Sequence, residues 1–453
     1  MSSGGGGGGG GSSSSGGISP AALVQLVTTD LVAITRGRSV SADDETIWSK
    51  QGVGWVPANM ALDPFNAIAT PNPWGSSGDL RLMPDVSTDL TIPEIPNRLG
   101  LHLVLCDLNE LDGSPWSCCP REFLRKALAD LTQAGLRLLA TFEHEFTMMD
   151  GKVAPGPAFS LVAHRRREPF LSTLYATLRV ARVEPETMLA EYGANQYEVS
   201  ASAVRGLPAA DRAVILREVT REVADALGFN ASFSPKPTPD GAGNGVHIHF
   251  SLRDAANQPV MYDPAQPGGM SAAAGAFAAG ILRHMPALCA ITAPSPVSYL
   301  RLVPQSWSSA YACLGERNRE AALRICSAPA SAGDDARGYN LEYRVTDATA
   351  NPYLALAVII RAGLAGIRDG LPTPPLVNGD PAALSEAERT RLGVARLPTS
   401  LAASLQALAA DAEVRGWFPQ PLLQTMMSVK AREAAMAGSM TPEELCRRYA
   451  AVY

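Results

Sequence analysis

Three apolar runs of the chain each carry two ionisable side chains spaced two residues apart: Glu143 and Glu145 in FEHEF, His247 and His249 in VHIHFSL, and Glu342 and Arg344 in NLEYRV. Side chains alternate across a β-strand, so this spacing puts both members of each pair on one face. Two carboxylates on one face of an apolar strand repel each other unless something positive lies between them. Each pair taken alone has a plain reading as well: a solvated strand end for the glutamates, core or ligand residues for the histidines, a cross-strand ion pair for Glu342 and Arg344.

Taken together they read differently. The stretch ETMLAEYGANQYEVS adds Glu186, Glu191 and Glu198, and RLVPQSWSSAYACLGERNREAALRI adds Arg301, Arg317, Arg319 and Arg324. Carboxylates at 143, 145, 191, 198 and 342 with the imidazole of His247 form an oxygen-rich donor set, which suits Mg2+ or Mn2+ better than structural zinc. Arginine presents a planar fork of donors to carboxylate and phosphate. Hard cations beside arginines point to phosphoryl transfer. No GxxxxGK[ST] loop occurs, so phosphate must be held by other means.

Composition narrows the field further. With 453 residues and 46% hydrophobic content the chain can bury a large core in two or more domains. A net charge of −6 gives no basic field for nucleic acid or anionic membrane, and neither is expected as a partner. Seven scattered cysteines without a CxxC pair fit a reducing cytoplasm. The apolar run NPYLALAVIIRAGLAGI is interrupted by Arg361 and reads as a buried helix.

Residues 1–18 are a Gly/Ser tail expected to be flexible. From 19 to 113, β-like runs (LVAITR, LRLMPDV, LHLVLCDL) separated by Gly, Pro and Asn predict a small sheet-rich N-terminal domain. From 114 to 453 helical spacing appears, at Leu124, Leu128 and Leu131 and again at Ile215, Val219, Val223 and Leu227, and it alternates with strands. A helix starting at Pro442 is predicted from the capping pattern Thr441 to Glu444. The fold class is α+β.

The order of these motifs resembles the glutamine synthetase family, from roughly Leu101 to Gly370 and more loosely beyond. FEHEF resembles its Glu-x-Glu strand, EYGANQYEVS its segment ending in Gln-x-Glu, and KPTPDGAGNGVHIHFSL its Gly-x-His-x-His-x-Ser stretch. NREAALRI resembles its phosphate segment, and LEYRVTDATANPYLALA its Glu-x-Arg…Asn-Pro-Tyr-Leu signature. The resemblance implies a β-grasp-like N-terminal domain, and a catalytic domain with a curved antiparallel sheet surrounded by helices. It further implies a homo-oligomer of hexameric rings stacked as a dodecamer, with sites between subunits. It implies ATP and two to three Mg2+ or Mn2+ ions, one site formed by Glu145, Glu191 and Glu198 and another by Glu143, His247 and Glu342. Glu186, His249 and Ser251 would face ATP. Arg319 and Arg324 would hold its phosphates, with Arg319 and Glu342 close to the reacting groups. Arg301, Arg344 and Gly243 would bind glutamate.

The departures bear on substrate. Family members that use ammonia carry a glutamate three residues after the Val-Pro of RLVP, and Trp307 stands there. An N-terminal aspartate supplied by the adjacent subunit aligns with Val56 or its neighbours. Ammonium placed among Trp and Val would be desolvated without a compensating charge. The expectation is therefore an ATP-dependent ligase joining glutamate to a primary amine other than ammonia, an aryl- or alkylamine foremost, through γ-glutamyl phosphate. Ethanolamine or a polyamine is an alternative. Others are an ammonia-using enzyme in which Asp63 or Glu316 substitutes, and a non-catalytic relative that keeps the ring. Ala242 stands where the family commonly has Asn, leaving Gly243 or Asn244 to take over. SAPASAGDDARGYN lacks a usual Lys, and VNGDPAAL offers no Tyr for nucleotidylation.

Overall fold

Alternation in LRLMP and LHLVLCDLN and helical spacing after Pro120 become two sheets and a layer of helices in a computed structural model, which describes residues 22–95, 98, 100–327 and 335–453. The Gly/Ser tail and positions 328–334 of the Lys-lacking stretch lie outside the described residues.

The first sheet has six strands, β1 (Leu23–Thr29), β2 (Thr35–Ser41), β3 (Val53–Trp55), β4 (Leu80–Pro84), β5 (Leu90–Ile92) and β6 (Leu101–Asn109), in the order β2-β1-β6-β4-β3 with β5 also on β6. β1 and β6 run parallel at its centre and the other pairs are antiparallel, the mixed arrangement a β-grasp-like unit needs. One expected strand is displaced. In LVAITR only the last residues enter β2, while Leu31, Val32 and Ala33 make the β1–β2 turn, with Ala33 at φ 59°. They are apolar because the turn is buried: Tyr453 Oη donates to Val32 O at 2.6 Å, and Val32 packs with Ala69 and Val429.

The second sheet has ten strands: β7 (Arg137–Met148), β8 (Pro185–Ala190), β9 (Gln196–Ala201), β10 (Val204–Arg205), β11 (Ala231–Ser232), β12 (Val246–Arg253), β13 (Tyr311–Glu316), β14 (Ala321–Cys326), β15 (Asn340–Tyr343) and β16 (Ala395–Arg396). Its main path is β16-β13-β14-β15-β12-β7-β9-β8. The expectation of an antiparallel sheet holds except at β13 and β14, which pair in parallel. Residues 317–320 make the return: Arg317 takes φ 53°, and Asn318 Nδ2 donates to the carbonyls of Val377 at 2.9 Å and Gly379 at 2.7 Å.

The helices form where the spacing predicts. Leu124 and Leu131 face inward on Pro120–Gln133, which stops before Gly135 at φ 78°. Ile215, Val219 and Val223 are buried on Leu207–Ala226, and Gly228 takes φ 73° just beyond it. Thr441 Oγ1 accepts the Glu444 N–H at 3.2 Å and caps Pro442–Ala450. Pro352–Arg368 is buried, as NPYLALAVIIRAGLAGI predicts, and it packs on Ala272–Thr292. The latter is the one helix, among the described residues, long and apolar enough to cross a membrane, and most of it is buried in this core. The two helices approach closely through Gly280 and Gly366: a Cβ built on Gly280 would lie 2.1 Å from Ala362 O.

Polar residues tie the first sheet to the second unit. Asn351 Nδ2 donates to the carbonyls of Thr29 at 3.1 Å and Asp30 at 2.9 Å, while its Oδ1 caps Pro352–Arg368. Buried Arg121 pairs with Asp85, Asp107 and Asp211.

Candidate active site

The register of the second sheet brings the spaced pairs into one charged band. Glu145 on β7 lies opposite Glu198 on β9, and Glu143 opposite His247 on β12. His249 on β12 and Arg324 on β14 both face Glu342 on β15. His247 Nδ1 is 3.1 Å from Glu143 Oε2 and 3.4 Å from Glu342 Oε1, and His249 Nε2 is 3.5 Å and 3.8 Å from the same two oxygens. Arg324 Nε reaches Glu342 Oε2 at 2.5 Å, and Arg344 pairs with Glu342 Oε1.

Glu145 Oε2 accepts the Gly245 N–H at 2.8 Å and Gln196 Nε2 at 3.2 Å. Gln196 also donates to Gly243 O and Asn244 Oδ1, so it fixes the glycine-rich loop against β7. Only glycine fits at 243, where a Cβ would lie 2.7 Å from Arg301 Cγ.

The carboxylates are forced together more than solvent or arginines relieve. Burial pushes Glu145 up to about 7, against the Gly245 hydrogen bond and Arg301, with Glu191 and Glu143 pushing the same way. Burial, then Glu143, Glu145 and Glu191, holds Glu198 far above the carboxylate range. Glu191 is raised, again by burial first. Burial also opposes charge on Glu143, yet hydrogen bonds from His247 and His249 outweigh it and hold this group well below the ordinary range. Burial, then the Arg344 charge, lowers His247 to about 4, leaving a neutral imidazole fit to ligate.

A group of carboxylates that hold protons near neutral pH is a site that wants cations. Ligand atoms of Glu143, Glu198 and His247 lie within 4.8 Å of one another, and so do those of Glu143, His249 and Glu342. Hard divalent ions fit this donor set. The grouping departs from the expected one: Glu143 belongs to both clusters, His247 sits with Glu198 and not with Glu342, His249 joins the second, and Glu145 and Glu191 belong to neither.

A cavity of about 680 Å³ lies over the band, lined by Glu143, Glu145, Glu191, Glu198 and His247, and by Arg301, Arg319, Arg324 and Arg344. Gly243 lines it too. A second cavity of about 350 Å³ is lined by Glu186, His249 and Ser251, the three residues expected to face ATP, and Glu143 borders both. Arg319 and Arg324 open on the first cavity. Arg301 is buried and spends Nη2 on the carbonyls of Arg344 and Thr346, both at 3.0 Å, so it shapes the wall as well as charging it. The buried Nε of Arg344 has no hydrogen-bond partner among the described residues.

Trp307 stands at the rim of the first cavity, 49% exposed. Its ring meets Tyr192 edge-on, centroids 4.8 Å apart, and Tyr192 meets Phe159 in the same way at 4.8 Å. All three line the cavity and all three are exposed. Sequence reasoning missed Tyr192 and Phe159; Tyr192 directly follows Glu191, while nothing in the Phe159 segment signals proximity. The loop carrying Trp307 is unusual, with Gln305, Trp307 and Ser309 all at positive φ (60°, 49° and 65°). Such conformations cost about 1–3 kcal/mol each in non-glycine residues and persist where surroundings impose them.

The substitutes for the ammonium-site acid are engaged elsewhere or lie apart. Asp63 pairs with Arg432 at 2.8 Å and accepts N–H groups from Phe65 and Ala67, and Glu316, on β13, does not line the cavity. Val56 precedes the short 3-10 turn Pro57–Ala61 and does not line the cavity of its own chain. Ala242 and Gly243 line the cavity, and Asn244 is buried behind them, bonded to Gln196 and the carbonyls of Ser232 and Ser234.

Comparison with known proteins agrees with this geometry. The glutamine synthetase catalytic-domain model matches residues 117–448, and the glutamine synthetase N-terminal-domain model matches residues 14–116. The chain is 34% identical over 437 residues to a γ-glutamylpolyamine synthetase of Streptomyces coelicolor, covering 94% of this chain and 92% of that one. It is 30% identical over 452 residues to a glutamate–isopropylamine ligase of a Pseudomonas species, covering 94% and 89%. A solved structure described as a novel glutamine synthase homologue superposes with a TM-score of 0.89 at 43% identity, over 96% of this chain and 99% of that one. With two family models covering nearly the whole chain and a metal-ready band joined to an arginine-lined cavity, the chain belongs to the glutamine synthetase family of ATP-dependent carbon–nitrogen ligases.

Proposed function

We propose that the protein joins glutamate to a primary amine other than ammonia, an apolar alkyl- or arylamine foremost, through γ-glutamyl phosphate. The aromatic rim carries this reading: Trp307 occupies the place of the ammonium-site acid and is continued by Tyr192 and Phe159. Relatives named for polyamine and isopropylamine substrates support it.

The γ-carboxylate oxygen of glutamate attacks the γ-phosphorus of ATP, the bond to the β-phosphate oxygen breaks, and ADP departs. The amine nitrogen then attacks the acyl carbon, the carbon–oxygen bond to phosphate breaks, and phosphate carries off the nitrogen's proton. Mg2+ or Mn2+, two or three ions, supplies charge neutralisation on the phosphate oxygens when bound. Glu143, Glu145, Glu191, Glu198, His247 and Glu342 would hold those ions. Arg319 and Arg324 face the charge that builds on the transferred group. Arg344 and Arg301 hold the carboxylates of glutamate, with Gly243 letting the loop close over them. Glu186, His249 and Ser251 receive the nucleotide. The rim faces the incoming amine with aromatic rings in place of an acid, and the form of the amine that attacks is the neutral, nucleophilic one.

In this reading residues 19–113 and 114–453 are the two domains, and the protein works as stacked hexameric rings in which Val56 approaches the site of an adjacent subunit. Light scattering of the purified protein checks the assembly.

ADP release with glutamate, ATP and Mg2+ against ammonia, isopropylamine, aniline, ethanolamine and putrescine tests the substrate. Organic amines are expected to outpace ammonia, and strong turnover with ammonia alone would falsify the reading. A polyamine is the second reading, favoured by the aromatic faces, which attract cations, and by Glu191 beside Tyr192. Putrescine far ahead of isopropylamine would select it.

A further inference from the structure

The loop that presents Trp307 is fastened by its peptide groups. The Trp307 N–H donates to Glu320 Oε1 at 2.8 Å, and its carbonyl accepts from Arg344 Nη2 at 3.0 Å. Ser308 Oγ closes the loop on Val303, and Ser309 Oγ reaches Ala321 O. Glu320 is itself positioned: its N–H donates to Asn318 Oδ1 at 3.0 Å, and Asn318 is anchored on Val377 and Gly379. Glu320 does not line the cavity, so it does not meet the substrate directly.

We infer that Glu320 is a positioning residue for amine selection: its carboxylate holds the strained Trp307 peptide so that the ring stays on the rim against Tyr192. This rests on the amine-ligase reading above. Glu320 directly follows Arg319, so the turn that aims an arginine at phosphate also fixes the ring that meets the amine. Without that acceptor one of the two bonds that hold the Trp307 peptide is gone, and its φ of 49° is imposed less firmly. The loop then relaxes, and contacts with the amine are lost while those with glutamate and ATP stay.

The test compares Glu320→Ala, Glu320→Gln and Glu320→Asp with the unaltered protein, measuring KM and kcat for the favoured amine, ammonia, glutamate and ATP. Glu320→Ala is expected to raise the amine KM about five- to tenfold, the loss of one hydrogen bond, with the KM values for glutamate and ATP changed less than about twofold. Glu320→Gln keeps an acceptor of the same reach and is expected to restore the amine KM; Glu320→Asp keeps the charge, is one methylene short, and is expected to behave like Ala. Three results overturn the inference: an unchanged amine KM in Glu320→Ala, rescue by Asp but not Gln, or a fall in kcat with every nucleophile that Gln does not rescue. Should Glu320→Ala not fold, the Gln-against-Asp comparison decides alone. An unaltered protein that prefers ammonia would instead remove the amine-ligase reading, independently of the variants.

Discussion

Replacing Trp307 by Glu tests the link between the rim and the nucleophile most directly. Two changes act in the same direction. First, the organic amine loses its aromatic neighbour. A side chain about half exposed, with one edge contact at 4.8 Å, gives a small hydrocarbon group an interaction comparable to a methylene in a specificity pocket, about 1–3 kcal/mol. Secondly, ammonium gains a carboxylate. At about 4 Å and an effective dielectric constant of about 20 the attraction is roughly 4 kcal/mol, and at a half-exposed position we retain about 1 kcal/mol of it. Together these shift the ammonia-to-amine ratio of kcat/KM by about 2–4 kcal/mol, or roughly 30- to 1,000-fold. The assay is ADP release at saturating glutamate and ATP with isopropylamine, aniline and ammonia, alongside Trp307→Phe, which keeps an aromatic face and the amine preference. A ratio that moves by less than about threefold in Trp307→Glu refutes the reasoning, because the acid would then be in place without consequence for the nucleophile.

Two further outcomes follow from the band and the core. Glu145 titrates at about 7 and Glu198 is also raised, whereas an unfolded glutamate titrates near about 4.3. The folded metal-free protein therefore holds protons that the unfolded chain has lost. This stabilisation is complete below the unfolded pKa and disappears as pH rises through the folded one. The Tm of metal-free protein should fall between about pH 5 and 8, and Mg2+ should raise it more at pH 8 than at pH 6 with release of protons, measurable by calorimetry in two buffers. A Mg2+ response equal at both pH values would contradict it. Gly280→Ala should lower stability by about 3 kcal/mol or more in urea unfolding, since its Cβ has only 2.1 Å to Ala362 O and both partners are helix backbone; a loss below about 1 kcal/mol would show the crossing to be soft.

The residues of the charged band were legible because their information is local. A two-residue spacing fixes which face a side chain takes, and it set the face of Glu143, Glu145, His247 and Glu342, while the family resemblance supplied the roles expected of them. Their partners across the strands were not. That Glu145 meets Glu198 and that His249 reaches the Glu143–Glu342 cluster depends on register, which is set by packing of the whole sheet. Leu31–Val32–Ala33 reads as strand because apolar residues mark burial and not conformation; here a turn is what is buried. The parallel pairing of β13 with β14 runs against the antiparallel expectation, and Asn318 in the turn between them is anchored to a loop some sixty residues downstream, which no window on the sequence contains. The rim was one-third visible: Trp307 stood out against a resemblance, whereas Tyr192 and Phe159 reach it only through folding.

The manner in which Trp307 is held has a consequence for how such a site can change. Glu320 and Arg344 grip its amide and carbonyl, atoms that every amino acid other than proline possesses. The side chain at this position is therefore exchangeable in a way its neighbours are not: a mutation rewrites what the loop shows to an incoming nucleophile without unfastening the loop. Glu342, by contrast, touches two arginines and two histidines, so any change there disturbs four partners at once. A substitution at the rim therefore alters the surface of the cavity mouth at the cost of few contacts, whereas one at the band undoes an interlocked set of charges.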